Sequence, residues 1–416
     1  MGLFDKVKDA AGNVGDVIPA VPVDDATDKV SDVVSDVPVG DAAGKVGELV
    51  SDVPVGDAAS NVGDVISDVP VEDAAAKVAD VIFDLSGIGL SDLFDPTDLS
   101  ALPGIDKAFE GKDGEIVVRL LGNNDITTGE HSDLVVTGIG DDTIHAGEGA
   151  NTVFADNIPD DSIGGDDIVT TGSGDDVIYT FGGDDTVNSG GGNDIVITAD
   201  GDDIIDAGAG NDTDVQSGRG TDLVLGGDGD DTLRGGEDDD LVDGGFGNDR
   251  VIGGSDDDLV LGGPGTDQVE GRSGDDHLDG GEDTDLIDGG EGNDGIIWDA
   301  NDAAVAGGTG IDTLAVQAGD FDLINFAGDI TGIEIVDMSG GEASTTMLTA
   351  SDVLDVSDTD ELTVLGSSED SLNAGVGWTD SGTNAAGSQV FTQDVGGTVA
   401  TLLVEPGVQT NPDAVA

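Results

Sequence analysis

Residues 218–298 read GRGTDLVLG, GDGDDTLRG, GEDDDLVDG, GFGNDRVIG, GSDDDLVLG, GPGTDQVEG, RSGDDHLDG, GEDTDLIDG and GEGNDGIIW, nine residues nine times over without a gap. The fifth position is Asp in every copy: Asp222, Asp231, Asp240, Asp249, Asp258, Asp267, Asp276, Asp285 and Asp294. The seventh is always aliphatic, from Val224 and Leu233 to Ile287 and Ile296, and Gly opens eight copies and closes eight. An acidic tract without structure has no reason to hold Asp and an aliphatic residue in fixed phase. The nonapeptide is therefore the unit of the fold.

Glycines at positions one, three and nine allow left-handed backbone turns that a Cβ forbids. A turn of that kind aims carbonyl oxygens inward, and the Asp at position five adds a carboxylate. Two stacked turns then offer about six oxygens, the number that a hard cation such as Ca²⁺ takes. Positions six to eight are predicted as a three-residue strand, with position seven inward and position eight, such as Asp279, toward solvent. Successive copies fall on opposite sides, so two make one turn of a right-handed parallel β-roll. The predicted fold class is thus mainly β, with a core of one thin double row of Val, Ile and Leu.

The frame extends beyond this block. Residues 163–207 hold five more copies, with Asp167, Asp176, Asp185, Asp194 and Asp203 at position five. Residues 120–155 hold four weaker ones, in which Asp133 and Asp142 keep the pattern while Asn124 and Asn151 depart from it. The ten-residue copy 208–217 keeps Asp212 and puts Asp214 at the core position, which predicts a local bulge. An insertion, 156–162 with Pro159, is expected to loop out. After Trp298 one copy decays, and Gly308 to Leu314 returns in register with Asp312 at position five.

Charge points the same way. The 416 residues carry 12 Lys+Arg against 91 Asp+Glu, a formal net charge of −79. That balance excludes nucleic acid as a direct partner, since phosphate binding needs a basic footprint, and disfavours anionic membranes. Residues 218–298 alone hold 24 acidic residues and four Arg, a net −20. Roughly seven Ca²⁺ between stacked turns would supply about +14. Without them carboxylates would stack at about the 4.8 Å strand spacing, so folding is expected to be coupled to metal binding. Cys is absent, which rules out disulfides and thiolate metal sites. No stretch approaches the roughly 20 apolar residues of a membrane span, and the charged start, Met1 to Ala10, lacks the apolar run of a signal peptide.

A second repeat of sixteen residues covers 5–84, clearest in VPVGDAAGKVGELVSD from Val37 and VPVEDAAAKVADVIFD from Val69. Ala74, Ala75, Val78, Val81 and Ile82 make one apolar stripe on a helix, with Asp73 placed to cap it and Pro70 interrupting the helix before. The expected domains are 1–85, short amphipathic helices; 86–119, a linker with a first strand over Glu115–Leu121; 120–316, the β-roll; and 317–416, a β-rich cap. The helical stripes suit a spacer, or self-association and attachment through neighbouring repeats.

The nonapeptides resemble the RTX (repeats-in-toxin) family, whose GGxGxDxUx repeat forms Ca²⁺-dependent parallel β-rolls. The resemblance implies that the position-five Asp residues named above, Asp212 and Asp312 included, are ligands of multiple Ca²⁺. Residues 321–405 contain FDLINFAGDITGIEIVDMSGG, MLTASDVLDVS, ELTVLGSSEDSLN, Gly377-Trp378 and TVATLLVE, in an order similar to the C-terminal region of type I secreted adhesins. This implies export, unfolded, by the type I secretion machinery of a Gram-negative bacterium, with folding in external calcium.

Neither a His-Glu-x-x-His motif nor a Gly-x-Ser-x-Gly elbow occurs, and His131, His145 and His277 all lie inside the repeat frame. The reading is a non-enzymatic, extracellular calcium-binding structural or adhesive protein of a cell surface or biofilm matrix. The alternatives are a roll that drives secretion and folding while the N-terminal helices bind a partner, or an RTX-linked enzyme.

Overall fold

A computed structural model describes residues 107–110, 115–119, 122–156, 164–316, 321–326, 329–340 and 344–410. The helical reading of 1–85, the linker up to 106 and most of the insertion (157–162) lie outside the described residues. The chain divides into two compact units, Met1–Gly208 and Ala209–Ala416.

In the first unit two parallel sheets alternate along the chain. One carries Glu115–Val118, Leu134–Val136, Thr152–Phe154, Val177–Tyr179 and Ile195–Asp200. The other carries Asp125–Thr127, Thr143–Gly147, Ile168–Thr171, Thr186–Asn188 and Ile204–Asp206. Partners sit eighteen residues apart, Ile126 beside Ile144 and Val187 beside Ile205, so two nonapeptides make one turn. The position-seven residues Val153, Ile178, Val196, Ile144, Val187 and Ile205 are buried, each contributing about 1.5–3 kcal/mol of apolar burial. Thr143 pairs with Ile168, twenty-five residues on, so the insertion is spanned without loss of phase. The expected first strand is present as Glu115–Val118. Its antiparallel partner Lys107–Glu110 lies in the stretch read as linker.

The second unit continues the same architecture with longer strands. Thr232–Glu237, Arg250–Ser255 and Gln268–Ser273 follow one another in one sheet, and Leu241–Phe246, Leu259–Pro264 and His277–Glu282 in the other. The three-residue expectation is corrected here to six: each strand runs from position six into position two of the next copy, pairing Gly236 with Gly254 and Glu237 with Ser255. Two positions per copy then face the core, seven and nine, as the alternation of buried Leu233 and Gly235 in Thr232–Glu237 shows. The ten-residue copy is also corrected. Val215, fully buried, fills the core and pairs with Leu233, while half-exposed Asp214 meets Arg234 at 3.2 Å. The extra residue is taken up between Asp212 and Val215, because burying a carboxylate in an aliphatic row costs more than a local shift of frame.

Beyond the repeats, Ile335–Asp337, Glu361–Leu365 and Thr398–Val404 stack on Thr313–Val316 in parallel register, Leu314 to Val336 to Val364. Antiparallel strands Gln389–Val395 and Thr379–Thr383 close that sheet. Trp298 packs edge-on against Phe321 with ring centres 4.6 Å apart, and the buried Trp378 indole donates to the Ala374 carbonyl at 2.7 Å. The short helix Ala350–Val356 starts at a capping box of Thr349 and Asp352. Among the described residues no helix is long and apolar enough to cross a membrane.

Candidate metal centre

Every position-five Asp of the described repeats is buried, at most 3% exposed. The strand register stacks them in ladders, one carboxylate per turn. In the second unit Asp240 Oδ1 accepts the Asp222 backbone N–H at 3.0 Å, Asp258 that of Asp240 at 2.9 Å, and Asp276 that of Asp258 at 2.9 Å. Asp294 and Asp312 continue the series, each bond 2.9 Å. The opposite ladder runs from Asp212 through Asp231, Asp249 and Asp267 to Asp285 with bonds of 2.7–2.8 Å. In the first unit Asp142, Asp167, Asp185 and Asp203 form one ladder, while Asp133, Asn151, Asp176 and Asp194 form the other. Asn151 Oδ1 accepts the Asp133 N–H at 3.0 Å, so an amide can take the structural half of the role without the charge.

That hydrogen bond uses one carboxylate oxygen. The other is a separate matter. In the second unit the Oδ2 atoms of Asp231, Asp249, Asp267 and Asp285, and of Asp240, Asp258, Asp276, Asp294 and Asp312, are buried with no hydrogen-bond partner. A buried carboxylate oxygen left unpaired costs several kcal/mol unless something positive meets it. Each Oδ2 faces the position-nine glycine of the preceding copy. A methyl group built on Gly244 would lie 2.8 Å from Asp249 Oδ2 and 2.5 Å from the Gly262 carbonyl oxygen. On Gly262 it would lie 2.8 Å from Asp267 Oδ2 and 2.5 Å from the Gly280 carbonyl oxygen. A carboxylate and a carbonyl thus converge on one small glycine-lined space at Gly226, Gly244, Gly262, Gly271, Gly289 and Gly307.

The turns that build this space need left-handed backbone. Gly229 and Gly247, at position three, have φ of 144° and 147°. Where the sequence places another residue there, the backbone holds the shape regardless: Asp238, Asp256 and Asp283 have φ of 77°, 78° and 86°.

Burial pushes the ladder carboxylates upward, with Asp240 raised to about 9, Asp258 to about 8 and Asp267 to about 7, and neighbouring carboxylates add to the effect. Asp231, Asp249, Asp276, Asp294 and Asp312 are raised to about 6 for the same reason. The stack therefore resists full ionisation unless positive charge is supplied. Among the described residues no three His, Cys, Asp or Glu side chains come together. A cation here would be held by one carboxylate per turn and otherwise by main-chain carbonyls, a donor set of oxygens only. That set suits Ca²⁺, which takes six to eight oxygens in flexible geometry, and not the nitrogen- and sulfur-seeking metals.

His131 and His277 are exposed and His145 half-buried, so none reaches the ladders. Asp279, read as facing solvent, is half-buried, and its Oδ1 accepts the Gly281 N–H at 3.1 Å. Two carboxylates outside the repeat frame were not anticipated. Glu334 ends one ladder, accepting the Asp312 N–H at 3.2 Å and the Ser357 hydroxyl at 3.2 Å. Asp156, raised to about 8 by burial, accepts the Gly165 N–H at 3.1 Å where the insertion departs. Neither sits at a repeat position, so phase gave no signal for them.

A family model described as RTX calcium-binding nonapeptide repeat (4 copies) matches residues 121–157, 162–196, 190–214, 216–251, 225–260, 242–269 and 261–296. No curated protein matches the chain. The glycine turns, the aliphatic row and the buried Asp ladders are what those matched segments build, and the stretch 121–296 accordingly consists of RTX calcium-binding nonapeptide repeats.

Proposed function

We propose that the chain is an extracellular structural or adhesive protein, exported unfolded by type I secretion and folded by Ca²⁺ outside the cell, with the position-five Asp residues as ligands. The observation that carries the calcium half is the row of buried, unpaired Oδ2 atoms facing glycine and a convergent carbonyl. Bound Ca²⁺ supplies two positive charges and an oxygen shell to fill. The ladder Asp residues then do two things at once: Oδ1 fixes the register by accepting a backbone N–H one turn away, and Oδ2 turns toward the cation. Where calcium is scarce, the −20 charge of residues 218–298 opposes collapse, which keeps the chain open for passage through a secretion channel. Support for export is the order of sequence words in 321–405, and the region 317–416 is assigned as its signal and cap.

A circular dichroism titration of the whole chain tests the first half: β signal over the repeats should appear in millimolar Ca²⁺ and vanish in chelator. A spectrum indifferent to chelator overturns it. For export, a chain ending at Gly319 should stay in the lysate of the host, while one lacking 1–85 should reach the medium. Normal export of the first would make the tail a cap alone.

A further inference from the structure

Position eight points away from the core, and in one sheet of the first unit it is apolar throughout. Val118, Val136, Phe154, Tyr179 and Ile197 stand there side by side in register. Leu134 and Ile195, at position six, widen the same face. In the opposite sheet position eight reads Thr127, His145, Thr170, Asn188 and Asp206, polar in all five strands. One side of the unit is thus made for water and the other for an apolar partner.

Tyr179 and Ile197 are half-buried, while Leu134 and Val136 are at most 2% exposed although it is Val135, between them, that fills the core. An aromatic stack runs along the row. Tyr179 lies flat between Phe154, ring centres 5.2 Å apart, and Phe181, 5.8 Å. Phe181 holds φ 74° at position one, where the adjoining copies have Gly172 and Gly190. Left-handed backbone is unfavourable for so large a side chain, so the stack is kept against local strain, as binding surfaces do.

The sixteen-residue repeats carry a surface of the same chemistry. The stripe Ala74, Ala75, Val78, Val81 and Ile82 is too narrow to hold a helix alone. From Asp73 to the end of that copy at Asp84 a helix would run about 17 Å, and five strands spaced about 4.8 Å apart span about 19 Å. The 22 residues from Leu85 to Asp106 can reach about 70 Å. The chain then enters this same sheet, Lys107–Glu110 pairing with Glu115–Val118 at its edge. Charge favours this occupant over a second copy. Residues 1–85 hold 18 acidic residues and five Lys, a net −13, whereas a second copy would bring −79.

We infer that this outer face of the first unit seats the chain's own N-terminal repeats, with the last copy, 69–84, laid along the row from Val136 to Ile197. The inference rests on the helical reading of 1–85 and is independent of the calcium reading.

Hydrogen exchange by mass spectrometry on the full chain in millimolar Ca²⁺ tests it. Amides of 74–82 should exchange at least about tenfold slower in the unmodified chain than in Y179T/I197T, which strips the face of apolar surface and keeps a residue that suits a strand. Unchanged exchange in Leu241–Phe246 and Leu259–Pro264 shows the roll intact; should the double variant disturb it, I197T alone should still speed exchange of 74–82 by more than about threefold. T170A/N188A, on the opposite sheet, should leave 74–82 as it was. Fast exchange of 74–82 in the unmodified chain, protection that Y179T/I197T leaves in place, or an equal loss in T170A/N188A overturns the inference. So does protection that disappears on dilution together with a dimer in sedimentation, the result expected if a second copy covers the face.

Discussion

Asp258→Asn should change the sign of its effect with calcium. Asp258 is 3% exposed, its Oδ1 accepts the Asp240 N–H at 2.9 Å, and its own N–H donates to Asp276 at 2.9 Å. The amide keeps the acceptor, as Asn151 does naturally. It loses the charge. In the calcium-free roll the carboxyl is raised to about 8 from 3.8, so at pH 7 folding must give it a proton that the unfolded chain lacks, at a cost of at most about 4 kcal/mol. The new amide N–H₂, if unmet, offsets roughly 1–3 kcal/mol of that relief. The calcium-free roll should therefore gain about 1–3 kcal/mol. In saturating calcium the same change removes an ionised oxygen from the cation and should lower the urea midpoint. Asp279→Asn is the control, because its half-buried carboxylate makes only a local bond to Gly281; its effect should stay within roughly 1 kcal/mol in both conditions. The assay is urea unfolding followed by circular dichroism in calcium, and osmolyte-induced folding in chelator. A loss of equal size for both variants in calcium, or a loss for Asp258→Asn in chelator, would refute the ligand phase.

Acidity should act with opposite sign on the two forms. Because Asp240, Asp258 and Asp267 are raised to about 9, 8 and 7, the folded calcium-free state holds protons that the unfolded chain releases. Its stability is fully present below the unfolded value near 3.8 and is lost as pH rises through 7–9. Circular dichroism in chelator should thus show more β at pH 5 than at pH 9, whereas the calcium midpoint at pH 5 should be higher, since protons compete for the same oxygens. A pH-independent calcium midpoint would speak against carboxylate ligands. Asp256→Gly should raise the urea midpoint in calcium: at φ 78° relief of left-handed strain, about 1–2 kcal/mol for an ordinary residue and less for Asp, outweighs the roughly 0.5–1 kcal/mol entropy cost of glycine. A lower midpoint would show that the Asp256 side chain stabilises its turn.

Phase was legible in the sequence because each nonapeptide answers to its own local physics. Position seven must be aliphatic to fill a thin core, and positions one and three must tolerate a left-handed backbone. Position five holds Asp, or Asn at 151, whose short side chain reaches the backbone of the turn before. From this followed the eighteen-residue register, the burial of Asp133 to Asp312, and the recovery of frame across the insertion. The tertiary structure decided what phase alone leaves open. In the ten-residue copy, counting along the repeat put Asp214 in the core, but stacking against Leu233 selects Val215, because only the assembled row reveals which neighbour needs an apolar partner. Glu334 closes a ladder from a segment with no repeat, a role that exists only once the tail packs on Thr313–Val316.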